Sequence, residues 1–155
     1  MPRRKKIFKK NLKPDALYGN LLVSKMVNSI MERGKKSVAE KIIYESFDII
    51  HDKTKKGGLN ILEQALKNVA PLVELKSKRV GGANYQVPIP VSGDRRVTLA
   101  IRWIKAAIDS KKGKKMAEKM AEELIDASNK VGGAMKKRED VHRMADANKA
   151  FAHFA

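Results

Sequence analysis

Residues 72–96 read Leu-Val-Glu-Leu-Lys-Ser-Lys-Arg-Val-Gly-Gly-Ala-Asn-Tyr-Gln-Val-Pro-Ile-Pro-Val-Ser-Gly-Asp-Arg-Arg. This stretch predicts a two-stranded antiparallel β-ribbon over about 72–91. Val73, Leu75 and Val80 supply strand formers before a turn at Gly81-Gly82-Ala83-Asn84, and Tyr85, Val87, Ile89 and Val91 alternate after it. Pro88 and Pro90 lie two apart, so both missing N–H groups point away from the partner strand and no third strand can pair there. A lone hairpin is marginal in water and must lean on something else. Lys76, Lys78 and Arg79 on the ribbon, with Arg95 and Arg96 at its base, leave no acid between Glu74 and Asp94. Two readings stay open at this point: an edge strand protected by lysines, and an arm that grips nucleic acid.

Working outward, the chain has 155 residues, enough for one domain, and a 43% apolar share that can fill one core. Thirty-four Lys and Arg against 17 Asp and Glu give a net charge of +17. An excess of this size opposes compaction, and a polyanion relieves it; nucleic acid comes first, an acidic membrane surface second. No apolar run has the length of a membrane span, and Met-Pro-Arg-Arg-Lys-Lys lacks the apolar region of a secretory signal. With no cysteine, disulfides, thiolate metal sites and cysteine nucleophiles are excluded.

Residues 1–14 form a basic arm with no acid before Asp15, interrupted by Ile7, Phe8 and Leu12. A first helix is expected over about 20–33, closed by Gly34. A second opens on a Ser37–Glu40 capping box with Val38, Ile42, Ile43, Phe47 and Ile50 inward. A third starts at the Asn60/Glu63 signal and stops at Pro71. After the ribbon, Ser92 or Asp94 caps a fourth helix with Val97, Ile101, Ile104 and Ile108 inward. A fifth, about 115–129, places Ala117, Met120, Ala121, Leu124 and Ser128 on one side and Glu118, Glu122 and Glu123 on the other. A sixth covers about 134–150 with Val141, Met144 and Ala145 as a thin apolar stripe, and 151–155 is a short tail. The fold class is therefore mainly α: one domain, residues 1–155, of about six helices with a protruding two-stranded ribbon.

The cations cluster in the arm, at Lys35-Lys36, on the ribbon, at the start of the fourth helix and in Lys111–Lys115. Arg95 and Arg102 are seven apart, as are Arg96 and Trp103, so the four share one helix flank, part packed and part exposed. There a long cation reaches phosphate while an indole offers a stacking surface. Catalytic readings fail on the residues. Gly34-Lys35 and Gly113-Lys114 lack the earlier glycine and the following hydroxyl of a phosphate-binding loop. His51, His142 and His153 have no ligand spacing. Glu139, Asp140 and His142 on a basic helix read as local ion-pair partners, so an RNA-processing enzyme is not supported. No cofactor is expected. The rival binding class is an architectural DNA-binding protein with a β-arm, but the tip here is too small to wedge bases apart.

Several stretches together resemble a known family: Gly34-Lys-Lys36 with Ile42, Ile43 and Ser46 downstream, Val80-Gly-Gly-Ala-Asn-Tyr-Gln-Val-Pro88, Arg102-Trp103, and the run from Lys136 to His153. They resemble bacterial small-subunit ribosomal protein seven over nearly the whole chain, in order; an organelle-encoded version would look alike. The resemblance implies a cytoplasmic ribosomal protein that binds the 3′ major domain of small-subunit ribosomal RNA and starts head assembly. It implies a place near the exit-site transfer RNA and the messenger RNA exit, beside small-subunit proteins nine and eleven. Some members of the family also repress their own messenger. Carried over by position, the rRNA-binding candidates are Arg3, Arg4, Lys35, Lys36, Lys76, Lys78, Arg79, Arg95, Arg96, Arg102, Trp103, and the loop at Lys114, Lys115 and Met116. At 90–93 the chain reads Pro-Val-Ser-Gly where relatives usually show Glu, an apolar residue, Arg and Pro, so Ser92 replaces one expected arginine.

Overall fold

The computed structural model describes residues 12–154. The elements run α1 (Leu21–Ile30), α2 (Lys36–Thr54), α3 (Gly58–Val69), β1 (Val73–Val80), β2 (Ala83–Pro90), α4 (Gly93–Ser110), α5 (Met116–Ser128) and α6 (Gly133–Ala147), then a 3₁₀ helix at Lys149–Phe154. The mainly α architecture with one antiparallel ribbon is as the sequence predicts. α5 packs against both α2 and α3, and one contiguous apolar core joins the helices. Met26, Ile43, Ile50, Leu62, Ile104, Ile108, Met120 and Leu124 are its largest fully buried apolar side chains. Each contributes about 1.5–3 kcal/mol on burial.

The helix ends differ from expectation in instructive ways. Asn20 caps α1, its Oδ1 accepting the Leu22 N–H at 2.7 Å, but the helix stops at Ile30 instead of 33. Met31 leaves the helix with φ −55° and ψ 128°, and Arg33 and Gly34 take positive φ in the turn beyond, so Gly34 does not close α1. That turn delivers the chain into α2 two residues early, with Lys35 and not Ser37 at the N-cap position. Ser37 is already helical, so the capping box does not form, and Glu40 instead pairs with Lys36 at 3.3 Å. Val38 falls on the solvent side, 52% exposed, rather than in the core. α3 begins at Gly58, two residues before the expected Asn60, because Gly58 fits under Phe47 where a side chain would not. Ser92 occupies the N-cap position of α4 without a side-chain cap bond, and Asp94 lies inside the first turn. α6 stops at Ala147, and Met144 of its expected apolar stripe is 44% exposed.

Gly81 and Gly82 both take positive φ (+56° and +89°), the requirement of a two-residue hairpin turn. The turn is thus tighter than expected, and Ala83 and Asn84 belong to the ladder, opposite Val80 and Arg79. Pro88 and Pro90 pair with Leu75 and Val73, the same class of pair two residues apart, with their nitrogens outward. The ribbon leans on α6 and on the C-terminal 3₁₀ helix. Val87 is fully buried there, and the Tyr85 and Phe151 rings lie 4.9 Å apart. At the other end of the chain Tyr44 Oη donates to the Asp15 carboxylate at 3.0 Å, which fixes the turn before α1. Burial and that bond push the Tyr44 pKa up to about 12.

Candidate nucleic-acid interface

α4 is the spine of the candidate interface. Eighteen residues of helix separate its ends by about 25 Å. The ribbon root sits at its N-terminal end and the basic loop 111–115 at its C-terminal end. At the root, Glu74 organises the cations: Arg95 Nε lies 3.1 Å from Oε2 and Lys76 Nζ 3.6 Å from Oε1. Lys76 and Arg95 line one open hollow of 550 Å³ there. Arg96 turns the other way, its Nε donating to the Pro71 carbonyl at 3.1 Å, and so clamps the α3–β1 corner.

Along the middle of α4, Arg102 is exposed, while Trp103 is half-buried against the core. Arg102 lines a groove of 640 Å³ between α1 and α4 together with Lys25, Asn28, Thr98 and Lys105. Sequence reasoning missed these four. The signal was available in the seven-residue spacing of Thr98 and Lys105 and the three-residue spacing of Lys25 and Asn28, which places each pair on one helix face. At the far end, Lys35 and Met116 line a common hollow of 330 Å³, so the structure joins two predicted segments about eighty residues apart in sequence.

Not every candidate cation is available. Lys36 pairs with Glu40, and Lys114 with Glu122, whose carboxyl is held below its usual range by that bond. Lys76, Lys78 and Arg79 divide between the two faces of the ribbon: Lys76 and Lys78 with Tyr85 and Val87, Arg79 with Asn84. The side chains of Lys35, Arg79, Arg102 and Lys115 make no hydrogen bond or ion pair among the described residues. Arg3 and Arg4 lie outside the described residues. The lysine at 111 is half-buried. Burial works against its charge, but Glu123 and Asp126 outweigh it and hold the ammonium above its ordinary pKa of 10.5.

Glu123 corrects the sequence reading. Instead of sharing an outer face with Glu118 and Glu122, it is 0% exposed. The histidine of the acid–base constellation is also committed: His142 Nε2 accepts the Leu72 N–H at 3.2 Å, while Asp140 pairs with Arg143. No group of carboxylates and histidines fit to hold a metal occurs among the described residues. No described helix is long and apolar enough to cross a membrane.

Comparison with known proteins identifies the family. The family model described as Ribosomal protein S7p/S5e matches residues 2–149. Small ribosomal subunit protein uS7 of Moorella thermoacetica is 54% identical over 154 residues, 99% of each chain. The uS7 of Fervidobacterium nodosum is 55% identical over 152 residues, 98% of each chain. That of Carboxydothermus hydrogenoformans is 54% identical over 154 residues, again 99% of each chain. The family match takes in the ribbon and helices α1 to α6, the relatives' matches take in 98–99% of the chain, and the chain belongs to the uS7 family of small-subunit ribosomal proteins, a family of structural constituents and not of enzymes.

Proposed function

We propose that this chain binds the 3′ major domain of small-subunit ribosomal RNA as a primary binder and nucleates assembly of the subunit head. In the assembled cytoplasmic ribosome it lies near the exit-site transfer RNA and the messenger RNA exit, with small-subunit proteins nine and eleven as neighbours. The whole chain acts as one RNA-binding domain. The observation that carries the reading is the length of α4: a rigid edge with Arg95 at one end, Arg102 and Lys105 between, and the loop 111–115 at the other. Cations held on one helix at fixed spacing match a folded RNA better than a flexible tail would, because the protein has fewer side chains to order on binding. Phosphate neutralisation releases counterions, so affinity falls steeply with salt. Positioning comes from these contacts, and selectivity from the shape of the RNA.

The test is a competition gel with a structured small-subunit head-domain transcript against duplex DNA, followed by chemical footprinting of the bound transcript. Preference for the transcript, with protections confined to the 3′ major domain, is expected. Preference for the duplex overturns the proposal in favour of an architectural DNA-binding arm. The Gly81-Gly82 tip, exposed and without an apolar wedge, is unsuited to that role.

A further inference from the structure

We infer that Glu123, fully buried within the fold, is a positioning residue that sets which lysines of the loop 111–115 meet phosphate. The inference rests on the rRNA-binding reading above. Glu123 Oε1 accepts the backbone N–H of Ala134 at 2.9 Å, and Oε2 lies 2.9 Å from Lys111 Nζ. One carboxylate thus joins the end of α4 to the start of α6 from inside α5. The site is shaped for it. Gly132 takes φ +97°, and a Cβ there would sit 3.0 Å from Glu123 Oε1; one at Gly133 would sit 3.1 Å from the Ala107 Cβ. The N-terminus of α6 has no side-chain cap of its own, so the Glu123 carboxylate supplies the acceptor.

The consequence falls on the loop. Glu123 draws Lys111 inward, and the neighbouring Glu122 engages Lys114 from the next position of α5. Two of the loop's four lysines are thereby neutralised within the fold. Lys112 and Lys115 are exposed and have no ion pair among the described residues. They alternate with the paired lysines across Gly113, so fixing Lys111 fixes where the other two stand. Lys112, which the sequence reading did not select, becomes a phosphate ligand, and Lys114 a weaker one than its sequence context implies.

The experiment measures transcript affinity as a function of salt for the full chain and its variants. Lys112→Ala with Lys115→Ala is expected to lower the slope of log affinity on log salt by about one to two, at roughly 0.7–0.9 per phosphate contact. Glu123→Gln keeps an oxygen for Ala134 but loses the charge that holds Lys111. It is expected to lower the slope by a similar amount and to add nothing further in the Lys112→Ala, Lys115→Ala background. A merely structural Glu123 would lower the melting temperature and leave the slope of the folded protein unchanged, which overturns the inference. Should Glu123→Gln not fold, Glu123→Gln with Lys111→Met leaves no unpaired buried charge, and the same slope comparison decides. A flattened slope in the lysine variant with an unchanged slope in the Glu123 variants overturns positioning alone. A wild-type chain with no preference for the transcript overturns both readings.

Discussion

Arg95 Nε lies 3.1 Å from Glu74 Oε2, so the one carboxylate on the ribbon ties its first strand to the first turn of α4. The Glu74 side chain is only 15% exposed, whereas Arg95 is 44% exposed, which leaves the rest of the guanidinium free to turn toward a ligand. Glu74→Gln removes this tie without removing volume. With one partner well solvated, the expected cost is about 0.2–1 kcal/mol. The sharper effect is local: amides at the ribbon root, Glu74 to Lys76 and Val87 to Ile89, are expected to exchange faster with solvent. Unchanged exchange there would show that the 3₁₀ helix and α6 alone hold the ribbon.

Arg96 and Arg102 stand six residues apart on α4 and are expected to fail in different assays. Arg96→Ala removes a charged hydrogen bond to the Pro71 carbonyl, and the expected loss is about 1–2 kcal/mol of stability. Arg102→Ala touches no such bond, so stability is expected to stay within about 0.5 kcal/mol. Transcript affinity is expected to fall, with a salt slope smaller by about 0.7–0.9. Thermal unfolding and salt-dependent binding of both variants check the separation. An Arg102→Ala slope equal to wild type would remove that residue from the interface.

This division marks what the sequence could and could not disclose. The ribbon was legible because a period of two, a Gly-Gly pair and two prolines in step all constrain the same hydrogen-bond ladder. The helices were legible because Ile101, Ile104 and Ile108, like Met120 and Leu124, repeat at the spacing of one buried face. Caps were less so. Ser37 and Glu40 satisfy a local pattern, but the Arg33-Gly34 turn starts α2 before Ser37 and overrides it. The interface cations were visible as clusters, yet their availability depends on acids supplied by tertiary structure. Lys114 is engaged by an acid eight residues on, and Lys53 approaches the same Glu122 from α2. Glu123 was illegible for the same reason: beside Glu118 and Glu122 it reads as a solvated face, and only Ala134 and Lys111 make its burial tolerable.

His142 makes the ribbon root sensitive to acid. Burial, with the positive charge of Arg138 adding to it against Asp146, holds its pKa below the ordinary 6.5. The folded state therefore binds this proton less readily than the unfolded chain. The associated stability is present above pH 6.5 and is lost as pH falls through the folded pKa. Protonation also removes the lone pair that accepts the Leu72 N–H. Exchange of the Leu72 amide is expected to speed up as pH drops below 6.5, beyond the intrinsic pH effect on exchange. His142→Ala should abolish the pH dependence of stability in that window relative to wild type. A wild-type and a His142→Ala curve of the same shape would refute the assignment.

Gly58→Ala sets two effects of opposite sign against each other. Alanine in the first turn of α3 is favoured over glycine by up to about 1 kcal/mol of helix propensity. A Cβ at this position, however, would lie 2.6 Å from both Cβ and Cγ of Phe47. Those atoms are next to the backbone of α2 and cannot swing away, and Phe47 is 2% exposed in a filled core. Relief needs α2 and α3 to move apart, at about 1–3 kcal/mol for overpacking of this kind. Sterics therefore win, and a net loss of up to about 2 kcal/mol is expected. Neither helix contributes to the α1–α4 groove, so the salt slope of transcript binding should stay at the wild-type value in the folded variant. Chemical denaturation measures the first expectation: a midpoint raised above wild type would mean that the two helices have room that this geometry denies them.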